Sequence, residues 1–563
     1  MTPDRAPVDR YDVLIVGAGV AGALIAARLA HHGVHVLLLE AGPERDDRVE
    51  LVGAYARSPA RAPNDPYDDP VADLQAPSPR VSDGPNSGHY IQATPDLFKS
   101  TYQRLVGGST WHWLGNTPRF LPNDFQLKKT YGVGVDWPIS YDDLESWYGE
   151  AERELGVSGD DAEWTDVLGA FRSSTFPMPP IWPAYGDHVV ASKLNGRTFG
   201  GTRIRIRATP QARNSIPYQG RPPCAGNSSC VPICPIGAKY DATVHVKMAR
   251  CATGTGKRAA EVRERCVVKR LETDGDGNIV RAVFDAWTPD GATRVEEHAS
   301  AKLYVLAAHA IESPLILLES GLARSGPVGK NLMDHLQGYG GVILEQPVYP
   351  FRGPPVTSGI DEFRDGDKRS EQAAFRISIG NDGWGRMESL EEMLRQRLFV
   401  DGLYGQDLRK AVNDRAIRML RLSYSTEMLP EERNAVSVGG RDAKGNPKPR
   451  IDFHLPDYNK RAFDRANTIL REMFDALPHT NTAYSYPGTN YSGAGHIVGT
   501  CRMGRSATDS VVNAACRAHE HPNLYVVGAS VFPTSGTANP TLTAAALARR
   551  AAADIRHQLG GAR

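Results

Sequence analysis

No apolar run in these 563 residues approaches the ~18–20 residues that a bilayer-spanning helix needs, so no transmembrane segment is expected. Neither sign of charge is in excess, since Lys plus Arg and Asp plus Glu number 65 each. A nucleic-acid partner calls for a basic face, and this balance gives no sign of one. Cysteine is sparse and odd in number, seven in all, which argues against a disulfide-built scaffold. The polar opening stretch carries no secretory signal. Two locations follow as expectations: the cytoplasm, or export in the folded state beside a partner that bears the signal. No internal repeat is visible.

What is present suits a large globular enzyme. Hydrophobic residues make up 41% and charged residues 23%, and the length calls for two or more domains. Residues 11–42 read as strand, glycine turn, helix, strand. Asp12 to Val16 suits a strand buried on both faces, the helix runs to about His32, Gly33 stops it, and Val34 to Leu39 form the second strand. Residues 43–100, rich in Pro, Asp, Ser and Gly, read as a surface excursion forming a lid. Ser140-Tyr-Asp-Asp143 is a capping box opening a helix to about Leu155. From Cys266 to Ala307 the pattern is that of strands, with turns at Asp274–Asn278 and Pro289–Gly291. The Asp274 turn lacks the downstream Glu of a calcium loop and reads as a hairpin. Lys302 to Ala308 is a further strand leading into a helix through about Ser320; residues 336–485 look irregular. Leu524 to Val527 is a last strand, and Thr541 to about His557 a helix.

Gly17-Ala-Gly19-Val-Ala-Gly22 is G-x-G-x-x-G between a strand and a helix. Gly17 permits the tight turn, Gly19 lets a pyrophosphate approach the backbone, and Gly22 lets the helix pack on the strand. Glu40 ends the second strand, where a carboxylate accepts ribose hydroxyls. This unit predicts dinucleotide binding without distinguishing FAD from NAD.

Cys224, Cys230 and Cys234 crowd into eleven residues, with Pro235 after the last. Thiolates so spaced on a Gly/Asn/Pro-rich loop can hold an iron–sulfur cluster. The residues alone leave open a structural zinc with a fourth ligand from elsewhere, a disulfide plus a spare thiol, or three unliganded cysteines.

Val106-Gly-Gly-Ser-Thr-Trp-His-Trp113, Gly329-Lys-Asn-Leu-Met-Asp-His335, His496-Ile-Val-Gly-Thr500 and Asn539-Pro-Thr-Leu-Thr543 together resemble the glucose–methanol–choline (GMC) flavoprotein oxidoreductases. Pro122–Phe125, Tyr131–Gly134, Asp136–Pro138, Ala212–Ser215 and Cys234–Ala238 resemble, within that family, the flavoprotein subunits of bacterial glucose, fructose and gluconate dehydrogenases and the glucoside 3-dehydrogenases.

The resemblance implies an α/β fold: a Rossmann-like FAD-binding domain with a β-meander insertion, joined to an α+β substrate-binding domain. The expected FAD-binding part is 1–50, 95–125, 225–335 and 486–563, and the substrate-binding or lid part is 51–94, 126–224 and 336–485. It implies FAD as cofactor, held by Gly17, Gly19, Gly22, Glu40, Gly107, Gly108, Ser109, Thr110, His112, Gly528, Ala529 and Thr541. Some relatives attach flavin covalently through a histidine near His112; a packing role is the alternative. His496 maps to the family's base and Asn539 to its orienting partner, while His335 and His309 are expected to be structural. A neutral imidazole suits removal of a hydroxyl proton near pH 7, and flavin takes the hydride. Glucose-type relatives carry Asn just before the base, where this chain has Gly495, which puts glucose itself in doubt.

The cysteine spacing matches the loop that holds a [3Fe-4S] cluster in the sugar dehydrogenases. That implies electrons leaving toward a cytochrome c, and a small subunit bearing the export signal, hence a periplasmic or membrane-associated enzyme. The expected substrate is a sugar, glycoside or polyol. The rival readings are an oxygen-using oxidase, a biosynthetic oxidoreductase acting on a glycosylated natural product, and a non-catalytic electron-transfer subunit.

Overall fold

The computed structural model describes residues 11–57, 90–231, 233–322, 326–383, 387–388, 390–442, 445–485 and 491–560. The lid expected within 43–100 falls largely on 58–89, outside the described residues; its beginning is the helix Arg48–Arg57.

Aliphatic runs dictate the first sheet. Tyr11–Val16 and Val36–Leu39 carry almost nothing but apolar side chains, so they fit only where both faces are covered. They lie parallel to each other, as do Ala301–Leu306, Leu524–Val526 and Glu261–Arg263. The strand order is Leu524–Val526, Ala301–Leu306, Tyr11–Val16, Val36–Leu39, Glu261–Arg263. The chain leaves Tyr11–Val16 toward one edge and later returns to its other side. The crevice beyond the carboxyl ends of Tyr11–Val16 and Ala301–Leu306 is therefore the switch point where α/β sheets bind ligands. Helix Val20–His31 covers this sheet, and Gly33 follows it with φ +78°. Cys266–Thr273, Ile279–Trp287 and Arg294–Ala299 form an antiparallel meander. Asp274 bonds the Asp276 and Asn278 amides, as a hairpin turn requires.

Residues 336–485 are more regular than expected. They supply most of a second, antiparallel sheet, ordered His479–Ser485, Leu336–Leu344, Met419–Thr426, Phe375–Gly380, Val356–Ile360, Ile206–Ala208. Glycines hide the pattern: a Cβ on Gly338 would meet the Tyr424 hydroxyl at 2.2 Å, so glycine there makes room for the neighbouring strand's ring. The amphipathic helix Asp457–Asp475 covers this sheet, burying Phe463, Ala466, Leu470 and Phe474 on one stripe.

Ser140 caps helix Tyr141–Leu155, its hydroxyl accepting from the Asp143 amide while Asp143 accepts from Ser140. That helix lies along the C-terminal helix Thr541–Gln558: Tyr148 and Thr543 share a hydrogen bond of 2.8 Å, and Arg549 pairs with Glu150 at 2.9 Å. No described helix is long and apolar enough to cross a membrane.

Candidate active site

Two of the three turn glycines are demanded by the chain itself. A Cβ on Gly17, whose φ is +101°, would come within 2.6 Å of the Ala307 carbonyl oxygen, and one on Gly22 within 1.9 Å of the Gly17 carbonyl oxygen. A Cβ on Gly19 would meet nothing within 4 Å. Gly19 thus faces open space at the start of helix Val20–His31, whose first turn has no side-chain cap. Uncapped N–H groups beside open space suit a pyrophosphate.

The second glycine turn sits against the first. The Gly107 amide donates to the Ala18 carbonyl at 3.0 Å, and a Cβ on Gly108 would lie 3.3 Å from Gly19 Cα. Ser109 accepts from the Gln103 amide, and Thr110 accepts from the Ala242 amide, which fixes the loop. Gly528 (φ +89°) lies beside Ala21 on the same helix, and the Ala529 carbonyl accepts from Gly499. Thr541 opens the C-terminal helix directly after Asn539-Pro540. Glu40 is buried, its two oxygens accepting from the Ala18 amide at 2.7 Å and the Gly42 amide at 2.9 Å. Burial outweighs those bonds and pushes its carboxyl up to about 7. Its observed partners hold the turn, and a lone pair on each oxygen is left over for a hydroxyl donor. His112 follows the loop; burial, then the nearby Lys239 ammonium, pulls it down to about 4.

His496 and Asn539 meet, as the sequence motifs require: Asn539 Nδ2 lies 3.0 Å from His496 Nε2. His335, expected to be structural, belongs to the same group. Its Nδ1 is 2.9 Å from His496 Nδ1, and its Nε2 is 3.0 Å from the Gly536 carbonyl oxygen. A carbonyl only accepts, so His335 Nε2 carries the proton and its Nδ1 the lone pair. His496 must then donate from Nδ1, which leaves the lone pair on Nε2, where the Asn539 amide donates to it. Both rings are neutral: burial and His335 hold His496 well below 6.5, and burial holds His335 at about 4.

The His496 backbone is held by Asp334, which accepts its amide at 2.7 Å and is pushed up to about 6 by burial. Ser100 donates to Asp334 and accepts from the Gly495 amide at 2.9 Å. Gly495 has φ +71°, and a Cβ there would enter open space. His309 stays outside this group: it stacks on Tyr102 with centroids 4.6 Å apart.

At the cysteine loop, Arg213 Nη1 donates to Cys230 Sγ at 3.1 Å. Burial works against the Arg213 charge, yet Cys230, Cys224 and Cys234 together raise its pKa. Lys239, fully buried and drawn down to about 8 by that burial, donates to the Cys230 carbonyl at 2.7 Å. Among the described residues no three His, Cys, Asp or Glu side chains converge as for a single ion. A [3Fe-4S] cluster would take one thiolate on each of its three irons, so its ligands need not converge on a single point. Three thiols in cationic surroundings fit such an anionic group.

The GMC oxidoreductase family models match residues 206–337 and 430–548, and an NAD(P)-binding Rossmann-like domain model matches residues 15–44. The fructose dehydrogenase large subunit of Gluconobacter japonicus is 35% identical, over 97% of this chain and 98% of that one. The 2-methyl-1,2-propanediol dehydrogenase of Mycolicibacterium austroafricanum is 28% identical, over 96% and 94%. The pyridoxine 4-oxidase of "Mesorbium loti" has the same fold, with a TM-score of 0.61 at 21% identity, covering 97% of this chain and 99% of that one. With a glycine cradle, a neutral histidine pair and these relatives in agreement, the chain belongs to the GMC oxidoreductase family and is an FAD-dependent enzyme acting on alcohol or sugar CH–OH groups.

Proposed function

We propose that this enzyme is a dehydrogenase of a sugar, glycoside or polyol, with His496 as base, Asn539 as the orienting group and an iron–sulfur outlet for electrons. The observation that carries the reading is the lone pair on His496 Nε2, fixed there by His335 and Gly536. A substrate hydroxyl donates to that lone pair in place of the Asn539 amide and loses its proton to it. Asn539, freed from Nε2, donates to the substrate oxygen and steadies the negative charge that builds on it. Bound FAD supplies the hydride acceptor for the carbon so activated. Gly17, Gly19, Gly22, Gly107, Gly108 and Gly528 would offer it backbone, and Ser109, Thr110, Ala529, Thr541, Glu40 and His112 would complete its site. A Cβ on Gly495 would meet nothing within 4 Å, which leaves the approach beside His496 unobstructed by this residue.

Cys224, Cys230 and Cys234 would hold a [3Fe-4S] cluster, which supplies a one-electron outlet to an external carrier such as a cytochrome c. The relative named as a large subunit supports a partner chain here, and with it a periplasmic or membrane-associated location through a small signal-bearing subunit. We divide the chain as read from the sequence, with one amendment. Helix Tyr141–Leu155 packs along the C-terminal helix and goes with the flavin-binding part.

The test is a screen of sugars, glycosides and polyols with a dye acceptor, on protein whose flavin and iron have been quantified. Substrate-dependent dye reduction that His496→Ala abolishes, with iron present, supports the reading. Rapid peroxide formation by iron-free protein would replace it with an oxidase.

A further inference from the structure

Two buried cations face the cysteine loop with no carboxylate ion pair among the described residues. Lys239 and Arg213 are each 1% exposed. A buried charge is costly unless something of opposite sign offsets it. Three thiols lie next to them, and a thiolate-held cluster is anionic.

The same two side chains tie that loop to the loop that abuts the dinucleotide turn. The Lys239 ammonium spends its three donors on the carbonyls of Trp111 (2.8 Å), Trp113 (2.5 Å) and Cys230 (2.7 Å). Trp111 and Trp113 flank His112. Arg213 repeats the arrangement, with one arm on Cys230 Sγ at 3.1 Å and another on the Leu114 carbonyl at 2.9 Å. Arg48 adds a third link, donating to the Cys234 carbonyl at 2.8 Å while its guanidinium lies 4.3 Å from the centre of the Trp111 ring. On the other side, the loop reaches the cofactor cradle through Gly107 and Gly108.

We propose that Lys239 and Arg213 are positioning residues for electron transfer, clamping the cysteine loop at a fixed place beside the flavin-side loop and supplying the positive charge that favours the reduced cluster. The inference rests on the cluster reading above. Reduction adds one negative charge to an already anionic group, so two fixed cations with no carboxylate at ion-pair distance among the described residues raise its potential. A long apolar side chain at position 239 keeps the packing and removes both the charge and the three bonds. Arginine keeps the charge and donors.

The experiment compares holoenzyme of the parent chain, Lys239→Met and Lys239→Arg by flavin content, iron and acid-labile sulfide per chain, and potentiometric titration of the cluster's electron paramagnetic resonance signal. Lys239→Met is expected to keep its flavin and either lose iron or show at least a tenfold weaker reduction equilibrium, about 59 mV for one electron. Lys239→Arg is expected to keep both iron and potential. If Lys239→Met yields no folded protein, Arg213→Gln carries the same expectation. Parental iron content and potential in the Met variant, or in Arg213→Gln where that replaces it, overturn the clamp alone. A parent chain that purifies with flavin and no iron overturns the cluster reading and the clamp with it.

Discussion

His335 Nδ1 sits 2.9 Å from His496 Nδ1, and the Gly536 carbonyl on the far side of His335 decides which nitrogen of His496 is basic. The acid–base state of the site is thus set by a backbone carbonyl that reaches His496 only through His335.

His335→Gln breaks that setting. It is expected to lower kcat about ten- to a hundredfold with little change in KM and full flavin content, since the base remains but its tautomer is no longer imposed. His496→Ala is expected to cost about 10²–10⁴-fold in flavin reduction by substrate. Anaerobic stopped-flow bleaching of the flavin measures both.

The pH dependence follows from the lowered histidines. His496 stays unprotonated well below pH 6.5, so kcat/KM is expected to hold level from pH 8 down through 6.5. Stability behaves differently. A folded pKa of about 4 for His335 against 6.5 unfolded means the unfolded chain binds more protons between these values. The stabilisation is intact above pH 6.5 and is lost as pH falls toward 4, about 3 kcal/mol from this one ring. Denaturant titrations across that window should show a shallower loss in His335→Gln.

Gly19 and Gly22 should separate cofactor binding from folding. Gly22→Ala puts a methyl 1.9 Å from the Gly17 carbonyl oxygen and is expected to destabilise the apoprotein by about 1–3 kcal/mol. Gly19→Ala meets open space, so the apoprotein should unfold as before while its affinity for FAD drops. Thermal unfolding of apoprotein beside a flavin titration distinguishes the two.

Gly495→Asn tests the substrate side. Asn tolerates a φ of +71° better than most residues, and its amide would project into the open space beside His496. The ranking of sugars by kcat/KM is expected to change while the unfolding temperature hardly moves. An unchanged ranking would mean the substrate does not pass Gly495.

The strands of the flavin sheet were legible because aliphatic runs such as Val36–Leu39 have no other place to go. Helix Tyr141–Leu155 was legible to its first residue because its cap is written in adjacent side chains. His335 was not: its partners lie 161 and 201 residues away, and nothing beside it in the sequence marks a ring whose role is to orient another. Likewise, three glycines in Leu336–Leu344 erase the alternation that would have marked a strand. Lys239 reads as an ordinary lysine until the three carbonyls around it are seen.

Strand Leu524–Val526 borders a sheet whose neighbouring strand begins more than two hundred residues earlier. Until residues 524–526 are made that sheet lacks its edge, and Asn539 follows later still. Assembly of the reactive centre is deferred until residue 539 has been added. A nascent chain stalled before residue 524 would present an unfinished sheet, with His496 still lacking Asn539.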